Sequence, residues 1–168
     1  MYKVVATRAQ PFEPLDLSVC ASEALSDLRP ILERSGGRVE IGELGTIEAD
    51  PAQIRLVFKQ ILDNALKFHR EGDPPIVRVT GAIRGPAYEI VVEDNGIGFD
   101  EKQLERILAP FKRLHSRTTY DGTGIGLAIC RKIIERHGGT ITARSAPDRG
   151  SSFIVRLPRV QPQEVEIA

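Results

Sequence analysis

Residues 118–139 read TTYDGTGIGLAICRKIIERHGG, and the fold turns on why Gly122, Gly124 and Gly126 stand at alternate positions just before an apolar helix pattern. Glycine is a poor residue with which to enter a helix, because it has the most backbone freedom to lose. Helix N-termini, however, carry unpaired N–H groups and a partial positive charge. Glycines just upstream let those donors wrap a phosphate with no Cβ in the way. The spacing is neither a Walker A loop nor the dinucleotide fingerprint. The preceding KRLHSRTTYD (112–121) is polar and aperiodic, as a lid that closes over a ligand would be. A glycine-rich loop without a ligand has the same spelling.

Around this stretch the chain alternates helices and hairpins. The glycine-led helix is predicted to run to about His137 and stop at Gly138-Gly139. DPAQIRLVFKQILDNALKFHREG (50–72) is the strongest helix, with Asp50 as cap and Pro51 in the first helical position. Ile54, Val57, Phe58, Ile61, Leu62 and Ala65 form its apolar stripe. Gln60, Asn64 and Lys67 form a polar stripe beside it, which can line a cleft or be ordinary surface. A helix is expected near 18–34, with Ser18 as cap, Gly36-Gly37 as stop and a kink or shortening at Pro30. RVEIGELGTIEA (38–49) reads as two short strands. IVRVTGAI and YEIVVEDNG form one hairpin, TITARS and SSFIVRLP another, and 101–108 a short helix. With no β-α-β alternation, the expected class is α+β, a two-layer α/β sandwich.

Length and composition suit one soluble domain: 168 residues, 41% apolar, 27% charged, net charge zero. Zero net charge argues against a general nucleic-acid binder. Charge is uneven, though. Arg113 and Arg117 sit just before the glycines and invite an anion, whereas a solvated helix face accounts for Arg131, Lys132 and Arg136. Cys20 and Cys130 form no CxxC pair and are expected to be buried. His69, His115 and His137 have no metal-ligand spacing. The N-terminus has no signal-peptide pattern and no run reaches membrane-spanning length, so the cytoplasm is the expected compartment. Residues 1–14 read as a linker remnant, 15–158 as the domain and 159–168 as a tail.

Two further stretches carry chemistry. In EDNGIGFD (93–100) a strand ends in Asp94, and Gly96 and Gly98 let the backbone turn or approach a ligand closely. An acid at that place can accept from an exocyclic amine, although Asn-Gly alone is also a plain turn. On the long helix, Asn64 offers an amide oxygen of the kind Mg²⁺ accepts beside phosphate oxygens.

Taken in order, QILDNALKF, DNGIGF, APFKRLHSR, GTGIGLAI and DRGSSF resemble the N box, first glycine box, F box, and second and third glycine boxes of the ATP-binding catalytic domain of sensor histidine kinases. That superfamily is shared with DNA gyrase B, the MutL proteins and the ninety-kilodalton heat-shock chaperones. The match runs from about Leu15 to Pro158, and 111–139 is most similar to kinases linked to PAS or phytochrome sensors. The resemblance implies a Bergerat-type fold, with a mixed sheet packed on helices, that uses ATP and Mg²⁺. It implies Asn64 as Mg²⁺ ligand, Lys67 on phosphate and Phe68 beside the adenine. Asp94 would accept the adenine amino group, with Gly96 and Gly98 passing the base. Arg113 would reach the γ-phosphate, Phe111 anchor the lid, and Gly122, Gly124 and Gly126 line the phosphates, with Leu127 among the nucleotide-binding residues.

Gln60 departs from this pattern, standing where Asn is common and moving the amide one methylene further out. None of FHRE, LHSR or RHGG matches a phosphoacceptor sequence. The resemblance therefore implies a His-bearing dimerisation domain as partner, a response regulator acting indirectly, no membrane contact, and a monomeric fragment beginning where a dimerisation helix would end. A catalytically weakened nucleotide-binding or partner-docking module, and a serine kinase of the anti-sigma type, are the competing readings.

Overall fold

The computed structural model describes residues 9–109 and 126–161. Its elements run β1 (Glu13–Asp16), α1 (Leu17–Asp27), α2 (Arg29–Ser35), β2 (Arg38–Ile41), β3 (Thr46–Ala49), α3 (Pro51–Lys67), β4 (Ile76–Arg84) and β5 (Ala87–Asp94). A 3-10 turn over Glu101–Gln103 leads into α4 (Leu104–Ile107), and α5 (Gly126–Arg136), β6 (Thr140–Ser145) and β7 (Ser151–Pro158) follow. Five strands form one mixed sheet in the order β2-β4-β5-β7-β6, while β1 and β3 pair separately. The alternation of β4, β5 and β7 buries Val77, Val79, Tyr88, Ile90, Val92, Phe153, Val155 and Leu157 in one core with the apolar stripe of α3. The other sheet face carries Arg78, Glu93, Arg144 and Arg156, all exposed. This is the expected two-layer α+β arrangement.

Helix α3 forms for the local reasons read from the sequence. The Asp50 carboxylate caps it by accepting from the Gln53 N–H at 3.2 Å, Pro51 opens it, and the whole predicted stripe is buried. The helix expected at 18–34 is divided at Leu28, because Pro30 lacks an N–H and fits only a first turn. Two expectations need correction. The cap of α1 is Asp16, whose carboxylate accepts from Ser18 and Val19, while the Ser18 hydroxyl bridges to Leu44. One β-α-β crossover does exist: β2 runs parallel to β4 with α3 between them, since β3 leaves the sheet to pair with β1. Strand β1 itself starts at Glu13.

Arg136 is also not a solvated helix residue. Its Nη1 donates to the Asp50 carboxylate at 2.8 Å and to Gln53 at 2.7 Å, and Asp50 is fully buried. Its guanidinium lies 4.5 Å from the Phe12 ring centre, and Nη2 donates to the Gln10 carbonyl. Beside it, buried His137 accepts the Asp50 N–H on Nε2 at 3.1 Å, so Nδ1 carries the proton donated to the Ile133 carbonyl at 2.7 Å. Burial and the neighbouring Arg136 hold that imidazole below its ordinary pKa. These contacts seat residues 10–12 against the C-terminal end of α5. Arg136→Met strands a buried carboxylate that keeps its two backbone N–H donors. The expected loss is about 2 kcal/mol, or roughly 4–8 °C in thermal midpoint. A midpoint within a degree of the parent would remove this pair from the fold's stability.

Candidate functional site

Asp94 closes β5, where the strand hands over to the turn at Asn95-Gly96. Both hydrogen bonds to its carboxylate fall on Oδ1, from Gly96 N–H at 2.8 Å and Ser151 N–H at 3.2 Å. Oδ2 has no donor among the described residues and is the oxygen left to accept from a ligand. Burial pushes the carboxyl up to about 6, against the pull of the two amides, and neighbouring Glu93 raises it further.

Close backbone approaches hold this corner together. A Cβ on Gly96 would run into the Phe68 carbonyl, which instead accepts the Ile97 N–H at 3.0 Å. A Cβ on Gly150 would collide with the carbonyl of Asp94. Glycine is required at both positions so that the end of α3 and the β6–β7 turn can reach the strand-end acid. The Ser145 hydroxyl ties the turn further, accepting from Phe99 N–H and donating to the Gly150 carbonyl, both at 2.8 Å.

The polar stripe of α3 joins this corner to α5. Phe68 caps α3 against Gly96, while at the other end of the stripe a Cβ on Gly126 would lie 2.5 Å from Gln60 Oε1. Positions 60, 64 and 68 lie one turn apart, so the flank extends about 12 Å from the start of α5 to the Asp94 corner. Asn64 stands midway, half-buried, its side chain bonded to none of the described residues. Lys67 does not stand free, because its ammonium pairs with Asp63 Oδ2 at 3.2 Å. Asp63 Oδ1 is buried without a donor among the described residues. An amide oxygen with no partner among the described residues is a donor a hard cation takes beside phosphate oxygens, so Asn64 fits Mg²⁺. No group of three His, Cys, Asp or Glu among the described residues is placed to hold a metal ion.

The structure thus brings Phe68, Asp94 and Gly96 to one corner and Gln60 and Gly126 to another, with Asn64 between. Gly98 lies in the loop after Asp94 with φ +65. Leu127 is buried in the core beneath the start of α5. Phe111, Arg113, Gly122 and Gly124 lie outside the described residues. Ser145 escaped the sequence reading because a serine at the end of a strand has no distinguishing spelling. A shallow cavity of about 550 Å³ on the open sheet face shares Asp94 but no residue of α3.

Comparison with known proteins gives the arrangement its class. A family model for the histidine kinase-, DNA gyrase B-, and HSP90-like ATPase matches residues 49–161. The phytochrome-like protein Cph1 of Synechocystis sp. is 39% identical over 157 residues, covering 94% of this chain and 21% of its own length. The adaptive-response sensory kinase SasA of Prochlorococcus marinus is 35% identical over 169 residues, covering 94% and 44%. Among solved structures, the catalytic domain of histidine kinase ThkA in a nucleotide-free form matches with a TM-score of 0.73 and 26% identity, over 90% of this chain and 97% of that one. The mycobacterial sensor histidine kinase MprB matches in fold with a TM-score of 0.76 and 24% identity, over 90% and 99%.

The chain is an ATP-binding domain of the mixed α+β class. It belongs to the histidine kinase-, DNA gyrase B- and HSP90-like ATPase family. It spans about a fifth of the length of the phytochrome-like relative. No helix among the described residues is long and apolar enough to cross a membrane.

Proposed function

We propose that this chain is the catalytic domain of a two-component sensor histidine kinase, moving the γ-phosphoryl group of ATP to a histidine on a separate dimerisation domain. The observation that carries this reading is Asp94: a strand-end carboxylate with one oxygen fixed by two backbone amides and the other open, joined along one flank of α3 to the start of α5. In this reading Asp94 Oδ2 accepts the adenine amino group. Phe68 packs near the base, and Gly96 and Gly98 let the backbone pass it. The N-terminus of α5, with Gly122, Gly124 and Gly126, offers N–H groups to the phosphates, and Leu127 supports that turn from the core. Lys67 exchanges Asp63 for phosphate. Arg113 reaches the γ-phosphoryl, and Phe111 anchors the segment that carries it. Mg²⁺, held by Asn64 together with phosphate oxygens, would supply charge neutralisation.

Phosphoryl transfer asks little covalent help of the protein, so positioning and charge stabilisation are its contribution. The bond from γ-phosphorus to the bridging oxygen breaks, a bond to the imidazole nitrogen forms, and ADP leaves. Gln60 sits against Gly126, where its longer side chain sets the spacing between α3 and α5. The body of the domain is 15–158, the linker before it packs through residues 10–12 on the end of α5, and residues 159–168 are its tail. The remaining assignments are a cytoplasmic compartment, a monomer, a response regulator downstream, and no nucleic-acid or membrane partner.

Calorimetric titration with ADP, ATP and GTP, with and without Mg²⁺, tests the site. Saturable adenine-selective binding strengthened by Mg²⁺ is expected. Incubation with a His-bearing dimerisation domain should then give an acid-labile phosphoprotein. A folded chain that binds no nucleotide would overturn the reading, and an acid-stable product would replace the histidine acceptor by a hydroxyl.

A further inference from the structure

Arg70, in the loop after α3, bridges the two loops that flank Asp94. Its Nη1 donates to the Asp148 carbonyl at 2.7 Å and its Nη2 to the Asn95 carbonyl at 3.2 Å, while Nε lies 3.4 Å from Asp73. Each acceptor adjoins a group that holds the acid. Asn95 precedes Gly96, and Asp148 lies inside the Ala146–Arg149 turn, three residues before Ser151; Gly96 and Ser151 donate the amides bonded to Asp94 Oδ1. Asp148 has φ +65, an uncommon conformation for a residue with a side chain, and its N–H is bonded to the Ile97 carbonyl at 2.6 Å. The clamped loop is anchored a second time, as the Asn95 side chain accepts from Ile76 N–H at 2.8 Å and donates to the Pro74 carbonyl at 3.3 Å.

We infer that Arg70 is a positioning residue for base recognition: it fixes both loops so that the Asp94 carboxylate is oriented for the amino group of an adenine. A planar guanidinium can satisfy two carbonyls on different loops at once, which a single ammonium point charge does poorly. Without it, the Asp148 N–H to Ile97 bond and the β5–β7 pairing still join the loops, but the turn at Asn95-Gly96 loses its tie to the Asp148 carbonyl through the guanidinium. The Ser151 amide stays in sheet register opposite Asp94, and the Gly96 amide is the one freed to turn away from Oδ1. The effect should fall on discrimination between bases, while the phosphate half of the site, built from α3 and α5, is left alone.

This inference rests on Asp94 reading the base, and the experiment separates the two. The probes are ATP and purine riboside triphosphate, which lacks the amino group, titrated into the full chain and its variants. The parent is expected to prefer ATP by about 10- to 100-fold, the range of one hydrogen bond to a charged group. Arg70→Met should reduce that ratio to below about threefold with purine riboside triphosphate affinity within twofold of the parent. Arg70→Lys should fall between, and it carries the test if the methionine variant does not fold. Asp73→Asn, which removes only the ion pair, should keep the parent ratio. In an Asp94→Asn background Arg70→Met should have little further effect on the ratio, as expected for two residues acting through one bond. A folded Arg70 variant that keeps the full preference, or loses both ligands equally, overturns the inference. A parent with no preference overturns the base-reading role of Asp94 instead.

Discussion

Asp94→Asn is expected to weaken ATP binding by about 30- to 100-fold and, at neutral pH, to make the protein more stable. The affinity loss follows from which atom changes. The amide oxygen can keep the Gly96 and Ser151 N–H groups, so the new NH₂ takes the place of Oδ2 and faces the adenine amino group donor to donor. Losing a hydrogen bond to a charged group and leaving a buried donor unpaired together account for that magnitude. Inorganic triphosphate should bind within about twofold of the parent. Equal losses for both ligands would mean that Asp94 does not read the base.

The stability gain has the opposite sign because the carboxyl is held at about 6 by burial, above its ordinary 3.8. Between those values the folded chain binds more protons than the unfolded chain, so the parent's stability from this group falls as pH rises from about 4 to about 6 and is flat above. A neutral amide removes that cost, about 1–3 kcal/mol at pH 7 and nothing below pH 4. ATP affinity should show the mirror image. As pH falls from 7 to 5 the parent loses up to about tenfold relative to the variant, because only the ionised carboxylate is the strong acceptor and the ionisation of ATP itself is common to both. Melting curves and titrations at both pH values check this. A variant less stable than the parent at pH 7, or a parent whose affinity relative to the variant does not depend on pH, would refute the account.

How far the sequence reached depended on the length scale of each cause. The α3 cap, its apolar stripe and the left-handed Gly36 stop are local, and all were legible. Ser18 and Asp16 are both good caps two residues apart. The choice between them was made by where the chain leaves its pairing with β3, which no local pattern carries. Similarly, alternation identifies β2 and β3 as strands but not the sheet each joins. Arg136 looked like surface because its partner Asp50 is distant in sequence. In the site, Asp94 and its glycines announce themselves as a strand end followed by residues that admit close approach. Arg70 does not, since its partners are main-chain carbonyls, and any residue supplies those.

Asn64→Asp is expected to abolish the strengthening of ATP binding by Mg²⁺ and to lower phosphotransfer by about 1000-fold. The substitution barely changes shape, so the helix should stay intact and the charge alone is tested. Asn64 follows Asp63, whose carboxylate already has one buried oxygen without a donor among the described residues and one paired with Lys67. A second carboxylate there competes for Lys67 and faces the phosphates the flank is proposed to hold. Two like charges about 4 Å apart cost about 4 kcal/mol at the dielectric typical of such sites, which is the 1000-fold expected. The loss should fall on the phosphate half of the ligand: adenosine affinity stays within about twofold, and inorganic triphosphate weakens with ATP. That is the reverse of the Asp94→Asn pattern. The two variants together therefore locate the base at the Asp94 end of the α3 flank and the phosphates from its middle toward α5. A Mg²⁺ effect on ATP affinity left unchanged in Asn64→Asp would remove Asn64 from the metal role and place the cation elsewhere on that flank.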